Sequence, residues 1–222
     1  MIGQISRDRS IDGLVRVGMA EVREIREAPS AMDRLGREIN DLCEALLGEL
    51  AGLTPAEMDR LHAARALYHR FGVDPTRTRP SPEAMLRRVL KGKAFPRILL
   101  PVDLANLWAL ASGLPVGLYD ASKIEGPPIV LRRGEAGESY AGIRKPDVHL
   151  EGRLVLADSR GPFGNPSADS LRTSVDEESR HLLFVLFAPG DHPAEEMKRQ
   201  MRWLSARIER YLESAPTTTI LT

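Results

Sequence analysis

The stretch that decides the fold runs from Arg70 to Asp120 and reads RFGVDPTRTRPSPEAMLRRVLKGKAFPRILLPVDLANLWALASGLPVGLYD. Three prolines between residues 74 and 82 exclude a helix there, because proline lacks a backbone donor and restricts the residue before it. Ser81 to Leu90 then predicts a helix, and Val102 to Ala111 predicts a second, shorter one. The apolar run GLPVGLYD that follows predicts a buried strand.

The chain before this stretch predicts one strand and two helices. Leu14 to Ile25 mixes β-branched with charged residues, as an edge or half-buried strand would. After Ser30, apolar residues recur at three- and four-residue steps and predict an amphipathic helix of about 20 residues. Thr54 and Pro55 predict the start of the next helix. The predicted apolar stripes are Met32, Leu35, Ile39, Leu42, Leu46 and Leu50, then Met58, Leu61, Ala64, Tyr68 and Phe71.

The chain after Pro115 predicts mostly β structure. The predicted strands are Pro115 to Tyr119, Ile129 to Arg133, Glu138 to Ile143, Arg153 to Ala157 and Leu182 to Phe187. The last of them, LLFVLF, is a continuous apolar run that suits a strand covered on both faces. We expect these strands to form one sheet, followed by an amphipathic helix that opens near Pro193 and by a C-terminal tail. The core residues that we expect in the sheet are Leu118, Val130, Leu183 and Val185.

Composition narrows the classes of function. The 31 Lys and Arg residues balance 31 Asp and Glu residues, so no overall charge draws the protein to nucleic acid or acidic lipid. Cys43, the single cysteine, excludes an intramolecular disulfide and a thiolate zinc site. The motifs of dinucleotide and P-loop sites, serine hydrolase elbows and zinc proteases do not occur. We therefore expect neither a cofactor nor a metal, and the absence of a signal peptide predicts a cytoplasmic protein.

One local region departs from this neutrality. Residues 65 to 93 contain eight basic residues and two acidic ones, a net charge of +6. Clustered arginines and lysines suit an RNA backbone, although arginines on helices also commonly face solvent or pair with acids. The residues that we predict to contact RNA are Arg77, Arg79, Arg87, Arg88, Lys91 and Lys93.

Three runs of sequence together resemble a known family. The first run is FGVDPTRTRPSPEA with RRVLKGK, the second is VDLANLWALASGLPVGLYD and the third is IVLRRGEAGESY. In this order they are similar to the B3/B4-type domain of the phenylalanyl-tRNA synthetase beta subunit, in its stand-alone form. The resemblance covers roughly Ala64 to Pro189. It implies an α+β fold, a mixed or antiparallel sheet flanked by helices. Since 222 residues fit one domain, we predict a single domain spanning residues 1–222, in which a strand and helix precede this core and a helix follows it.

The resemblance also implies an activity. In the synthetase, this domain removes tyrosine wrongly attached to the phenylalanine tRNA. Gly117 stands where the bacterial domain typically has a histidine, and the PVGxYD form is similar to stand-alone members. Asp120, Lys123 and Arg132 match the family's acid, its following lysine and its strand-end arginine. A glutamate of the bacterial pocket would fall near Val185, where this chain is apolar.

Hydrolysis of an aminoacyl ester needs little machinery, because the ester is already activated and backbone donors can stabilise the oxyanion. We predict a cleft between Gly117 to Asp120 and the long, glycine-containing loop from Ser159 to Thr173. Gly117 would form its floor, because glycine allows a ligand to approach closely. The residues that we predict around this pocket are Asn106, Gly117, Tyr119, Asp120, Arg132, Arg160, Asn165, Asp169, Arg172 and Thr173.

The resemblance and the basic region lead to one principal prediction and two alternatives. The principal prediction is a free-standing aminoacyl-tRNA binding protein that acts in trans as an editing deacylase. The alternatives are a non-catalytic module that binds tRNA or structured RNA, and a sensor of an amino-acid-like small molecule. We expect tRNA or aminoacyl-tRNA as the partner, and neither DNA nor a membrane.

Overall fold

The computed structural model of the protein describes residues 5–54, 57–126, 128–143 and 145–221. The α-helices are α1 (Ala31–Leu50), α2 (His62–Arg70), α3 (Ser81–Leu90), α4 (Leu100–Ser112) and α5 (Ala194–Leu212). The strands are β1 (Ile5–Arg7), β2 (Val15–Val22), β3 (Val116–Asp120), β4 (Ile129–Arg133), β5 (Ser139–Gly142), β6 (Lys145–His149), β7 (Leu154–Asp158), β8 (Gly161–Gly164), β9 (Leu182–Pro189) and β10 (Thr217–Leu221).

The strands form two four-stranded sheets and one hairpin. Sheet I has the order β10-β2-β9-β3, and all its pairs are antiparallel. Sheet II has the order β1-β4-β7-β8, and only its β1–β4 pair is parallel. Strands β5 and β6 pair separately. The predicted α+β class with mixed and antiparallel sheets is confirmed, and the single-domain organisation over residues 1–222 stays a prediction.

Strand β9 lies at the centre of the molecule, and all eight of its residues are buried. Its side chains alternate between two apolar clusters because successive residues of a strand point to opposite faces. Phe184 and its alternate neighbours pack among the helices, whereas Val185 and its neighbours pack against sheet II. The prediction that this strand is covered on both faces is confirmed.

The two long helices bury the predicted apolar stripes on the outer side of sheet I, where α5 packs against β2 and α1 packs against α3, α4 and α5. Leu35 and Ile39 of α1 are buried, as are Met197 and Leu204 of α5. Each such side chain stabilises the fold by about 1.5 to 3 kcal/mol through burial. Gly18 of β2 lets α5 approach closely, because a Cβ there would lie less than 3.0 Å from two methionine sulfurs of that helix.

The prediction of a single sheet after Pro115 is wrong. Strand β9 pairs with β2 on one edge and with β3 on the other, whereas β4, β7 and β8 pair with one another and with β1 in sheet II. Val130 is accordingly only half-buried, whereas Leu118, Leu183 and Val185 are buried as expected.

Local predictions at the two termini also need correction. Strand β2 is an interior strand rather than an edge, because β10 pairs with its outer side. The predicted tail therefore contains a strand, consistent with the high β propensity of threonine and isoleucine.

The predicted loop after Asp158 contains strand β8. Its glycines and proline are uncommon within strands, so the sequence did not predict a strand there. Pro55 lies outside the described residues, and α2 begins only at His62. No helix within the described ranges is long and apolar enough to cross a membrane.

Candidate functional site

The side chain of Tyr119 lies completely buried between sheet I and sheet II. Its ring packs edge to face against Phe163 of β8, with ring centroids 5.1 Å apart. A Cβ atom at Gly117 or at Gly164 would lie less than 3.0 Å from the Tyr119 hydroxyl oxygen. The tyrosine therefore fills the space that two glycines leave open, one on each sheet.

Asp169 is the acidic neighbour of this tyrosine. Its Oδ2 accepts a hydrogen bond from the backbone N–H of Leu118 at 3.4 Å. Part of Asp169 reaches solvent, but its Oδ1 is enclosed and has no hydrogen-bond partner among the described residues. Burial raises the pKa of Asp169 to about 7. Near neutral pH the carboxyl group can therefore both hold and release a proton.

The Tyr119 hydroxyl is also enclosed without a hydrogen bond to any described residue. Its geometry relative to Asp169 falls short of a hydrogen bond, yet the two groups are close enough to affect each other. Burial, and after it the charge of Asp169, raise the pKa of Tyr119 well above its ordinary value. The tyrosine is consequently a neutral donor at any physiological pH.

Asn165 and Tyr140 close the site from the side of the long loop. The Asn165 amide donates to the Tyr140 hydroxyl at 2.9 Å, and that hydroxyl donates to the carbonyl of Ala168 at 2.6 Å. The Asn165 carbonyl oxygen accepts from the N–H groups of Ser167 and Ala168. Burial raises the pKa of Tyr140. We call Gly117, Tyr119, Tyr140, Gly164, Asn165 and Asp169 the tyrosine cluster.

The structure thus brings together four of the predicted pocket residues, Gly117, Tyr119, Asn165 and Asp169. Other predicted residues make contacts that stabilise turns and strands. Asp120 accepts hydrogen bonds from the backbone and hydroxyl of Ser122 and from the hydroxyl of Ser179. Through these contacts Asp120 caps the turn after β3. Arg132 forms a two-pronged ion pair with Glu138 at 2.7 and 2.8 Å.

The remaining pocket residues of the long loop are held in the same way. Arg172 makes two hydrogen bonds to the Asp158 carboxylate at 2.9 and 3.0 Å. Arg160 pairs with Glu125 at 2.8 Å, and the Thr173 hydroxyl donates to the carbonyl of Phe163 at 3.4 Å. Asn106 is half-buried on α4, and its side chain makes no hydrogen bond to another described residue. The full set of pocket residues stays a prediction.

The predicted cleft is narrow. The ring of Tyr119 takes the space over Gly117 in which we expected a ligand. A cavity of about 10 Å³ lies beside the cluster and is bordered by Tyr68, Arg153 and Asn165. A cavity of this size holds one water molecule at most. An aminoacyl group would enter only if the Tyr119 side chain or the loop around Asn165 moved.

The basic region forms a second feature, built around Glu83 of α3. The carboxylate of Glu83 is 1% exposed and accepts two hydrogen bonds from Arg65 at 2.9 Å and one from Arg87 at 3.0 Å. Arg79 lies 3.8 Å from the same oxygen as Arg87. Burial opposes ionisation, but Arg65 and Arg87 hold the pKa of Glu83 below its ordinary value. The carboxylate thus fixes the guanidinium groups of Arg65 and Arg87 by hydrogen bonds and attracts that of Arg79.

The other predicted RNA-binding residues are more exposed. The Arg77 side chain is 89% accessible and lies 3.7 Å from Asp74. Arg88 donates to the carbonyl of Ala94 at 2.6 Å. Lys91 and Lys93 are exposed, and their amino groups have no partner within the described part of the chain. We call Arg77, Arg79, Arg87, Arg88, Lys91 and Lys93 the basic surface.

Helix α2 connects the two features. Arg65, on its first turn, contacts Glu83 beneath the basic surface. Tyr68, one turn later, donates its hydroxyl to the carbonyl of Pro166, the residue after Asn165. Burial raises the pKa of Tyr68 to about 12, so this hydroxyl stays a donor. The basic surface and the tyrosine cluster are therefore joined by one short, rigid element.

Sequence reasoning missed several members of these features. Tyr140 and Gly164 belong to the tyrosine cluster. Neither was predicted, because the sequence does not show which strands pair with the segments that contain them. Glu83 was one of the two acids counted against the basic residues and a residue of the predicted helix start, but its burial was not predicted. Its position three residues after Pro80, inside a run of arginines, was the available indication that it could be buried and paired.

Metal and thiol chemistry find no support in the described ranges. No group of three His, Cys, Asp or Glu side chains there could hold a metal ion. Cys43 is half-buried on α1, and burial raises the pKa of its thiol. A reactive thiolate is therefore disfavoured at this position.

Known proteins resemble parts of this chain. A stretch of 94 residues is 36% identical to the phenylalanine–tRNA ligase beta subunit of Streptomyces avermitilis, covering 42% of this chain and 11% of that protein. A stretch of 114 residues is 32% identical to the corresponding subunit of Chromobacterium violaceum, covering 50% of this chain and 14% of that protein. The chain thus spans only a small part of the length of these relatives.

The structural comparison and the family comparison cover more of the chain. An N-terminal fragment of the phenylalanyl-tRNA synthetase beta subunit from Pyrococcus horikoshii aligns with 99% of this chain and 54% of that one, with 14% identity and a TM-score of 0.48. The family model described as the B3/4 domain matches residues 63–217, which is more than half of the chain. This chain therefore belongs to the B3/4 domain family.

Proposed function

We propose that this chain binds tRNA through the basic surface. The observation that carries the proposal is the set of guanidinium groups fixed on the buried carboxylate of Glu83. Arg79 and Arg87 keep 45% and 39% of their side chains exposed while they contact that carboxylate. A phosphate that approaches this surface meets donors whose positions are already set, which lowers the entropic cost of binding.

The charge and the family both favour tRNA as the occupant. The net charge of +6 over residues 65 to 93 stands out in a chain that is neutral overall. Arginine and lysine clusters of this kind favour phosphate backbones because each contact releases bound counterions. The region matched by the B3/4 model includes the basic surface, and the named relatives are subunits of a tRNA ligase.

The finer proposal is that the chain hydrolyses the ester of a wrongly charged tRNA. Helix α2 joins the basic surface to the tyrosine cluster, and an acceptor end bound at that surface would reach Asp169 once the Tyr119 side chain or the loop around Asn165 moves. A carboxyl group with a pKa of about 7 can take a proton from water at neutral pH, as ester hydrolysis requires. The catalytic residue itself is not assigned.

The test is to incubate the purified protein with a panel of correctly and wrongly charged tRNAs and to follow loss of the ester. A deacylase shortens the half-life of at least one charged tRNA well below that of the spontaneous reaction. Binding of the same tRNAs is measured in parallel with labelled, uncharged molecules. Absence of binding to every tRNA would overturn the proposal as a whole.

One observation favours a second candidate, a tRNA-binding module without catalysis. The Tyr119 ring occupies the space over Gly117, and the neighbouring cavity has a volume of only about 10 Å³. A chain that keeps this arrangement would bind tRNA but leave every ester intact. The panel assay separates the two candidates, because binding without ester loss identifies the second.

A further inference from the structure

Strand β10 is the outermost strand of sheet I. One of its edges pairs with β2 through five residue pairs, from Thr217↔Glu21 to Leu221↔Val17. Its other edge has no partner strand in the part of the chain that the structure describes. Thr217, Thr218 and Thr219 are exposed. Such an edge presents a row of backbone donors and acceptors that can pair with another chain.

A groove of about 400 Å³ runs beside this edge, between β10 and the solvent side of α5. Lys198 and Arg202 border the groove on the first half of the helix, and Glu209 borders it near the end. Ser205 and Ala206, which are small, lie between them. The charges along the groove therefore change from positive to negative across an uncharged centre.

The direction of α5 relative to β10 sets where these charges lie. Helix α5 ends at Leu212 and β10 begins at Thr217, so Glu209 lies near the start of the strand. Met197 and Met201 lie over Gly18, which pairs with Ile220, so Lys198 and Arg202 on the same turns of the helix lie near the end of the strand. Helix and strand thus run in opposite directions, with Glu209 beside Thr218 and the basic pair beside Ile220.

We propose that a second copy of this chain occupies the edge of β10. In an antiparallel pair centred on Thr219, Thr218 of each copy faces Ile220 of the other. The same two-fold rotation brings Glu209 of each copy opposite Lys198 and Arg202 of the other. The edge and the groove are therefore complementary to themselves, and sheet I continues through both copies as one eight-stranded sheet.

The spacing between the helices fits this arrangement. Helix α5 packs against both β2 and β10 and so lies over the line between them. Neighbouring strands are about 4.8 Å apart, which places the two copies of α5 about 10 Å from each other. Packed helices are about 8 to 10 Å apart, and the small residues Ser205 and Ala206 allow that approach.

Sedimentation equilibrium and light scattering test the proposal on the full chain without RNA, so the result is independent of the proposed function. The parent protein sediments as a dimer at micromolar concentrations. Glu209→Lys places like charges opposite each other at two symmetric positions and weakens association about tenfold or more. Combining Glu209→Lys with Lys198→Glu and Arg202→Glu exchanges the charges and restores association.

Glu44→Lys makes the same charge change at an exposed position on α1 and leaves association unchanged. Hydrogen exchange supplies a second measurement, because the amides of residues 217–221 lose protection when the dimer is diluted into monomers. A parent that stays monomeric at hundreds of micromolar would overturn the proposal and leave the groove to another occupant. A dimer that is insensitive to Glu209→Lys and shows no change at residues 217–221 would overturn it as well.

Discussion

The hydroxyl of Tyr119 lies less than 3.0 Å from the position that a side chain at Gly164 would occupy. Gly164→Ala should therefore destabilise the protein by about 1 to 3 kcal/mol, because the added methyl group forces the buried ring aside. Urea denaturation of the variant measures the difference. Gly48→Ala is the control, since a Cβ at that exposed helical position meets nothing, and it should stabilise by about 0.5 to 1 kcal/mol.

A double-mutant cycle separates this contact from other effects. In a protein that already carries Tyr119→Leu, the ring and its hydroxyl are absent. Gly164→Ala should then cost much less than in the parent, with a coupling of about 1 kcal/mol or more. An equal cost in both backgrounds would mean that Gly164 is required by its own backbone rather than by Tyr119.

The raised pKa of Asp169 predicts a pH dependence of stability. Its pKa is about 7 in the folded protein and about 3.9 in an unfolded chain. The folded state thus holds the proton more tightly, so this contribution to stability is complete below about pH 4 and is lost as pH rises through about 7.

Asp169→Asn removes this loss, because the amide does not ionise. The advantage of the variant over the parent should grow by about 1 to 3 kcal/mol between pH 4 and pH 8, as measured by denaturant unfolding. Asp158→Asn is the opposite control, since Arg172 helps to hold the pKa of Asp158 below its ordinary value despite burial. Its cost should be greater at neutral pH than at pH 3. A constant difference for Asp169→Asn at all pH values would contradict the assignment.

Glu83 should be necessary for the stability of the region that carries the basic surface. Glu83→Ala leaves Arg65, Arg79 and Arg87 facing one another without their shared carboxylate, which should destabilise the protein by about 3 kcal/mol. Thermal and urea unfolding measure the loss. Asp191→Ala removes an exposed partner of Arg70 and should cost less than about 1 kcal/mol. Similar costs for the two variants would mean that Glu83 is not a buried anchor.

Periodic apolar patterns predicted the helices and the central strand well. The stripe from Met32 to Leu50 became α1, and the bounds of α3 agree with the predicted Ser81 to Leu90. Each of these patterns is local, because a helix or a covered strand shows its period within its own residues. The resemblance to the B3/B4-type domain rested on local runs for the same reason.

Pairing between distant segments was not predictable from the same residues. Strand β9 pairs with β2, which lies about 165 residues earlier in the chain, and β4 pairs with β1 and β7 in sheet II, so the local sequence of these strands does not identify their partners. Gly117 was expected to admit a ligand, but Gly164 of β8 and Tyr119 together show that its space is used within the fold. Glu83 was visible as an acid, yet its burial depends on Arg65 from another helix.

Binding of tRNA to the basic surface should show a strong dependence on salt concentration. Arg77, Lys91 and Lys93 are the residues to replace with alanine together, because they are exposed and do not contact Glu83. We expect this variant to lose affinity for tRNA by about 10-fold or more, and the slope of log affinity against log salt to fall by about one for each lost phosphate contact. A variant with Arg9, Arg26 and Arg37 replaced by alanine loses the same charge from exposed positions elsewhere and should keep the parent's slope. Equal affinity and equal slope for the parent and the Arg77, Lys91 and Lys93 variant would show that tRNA does not bind at the basic surface.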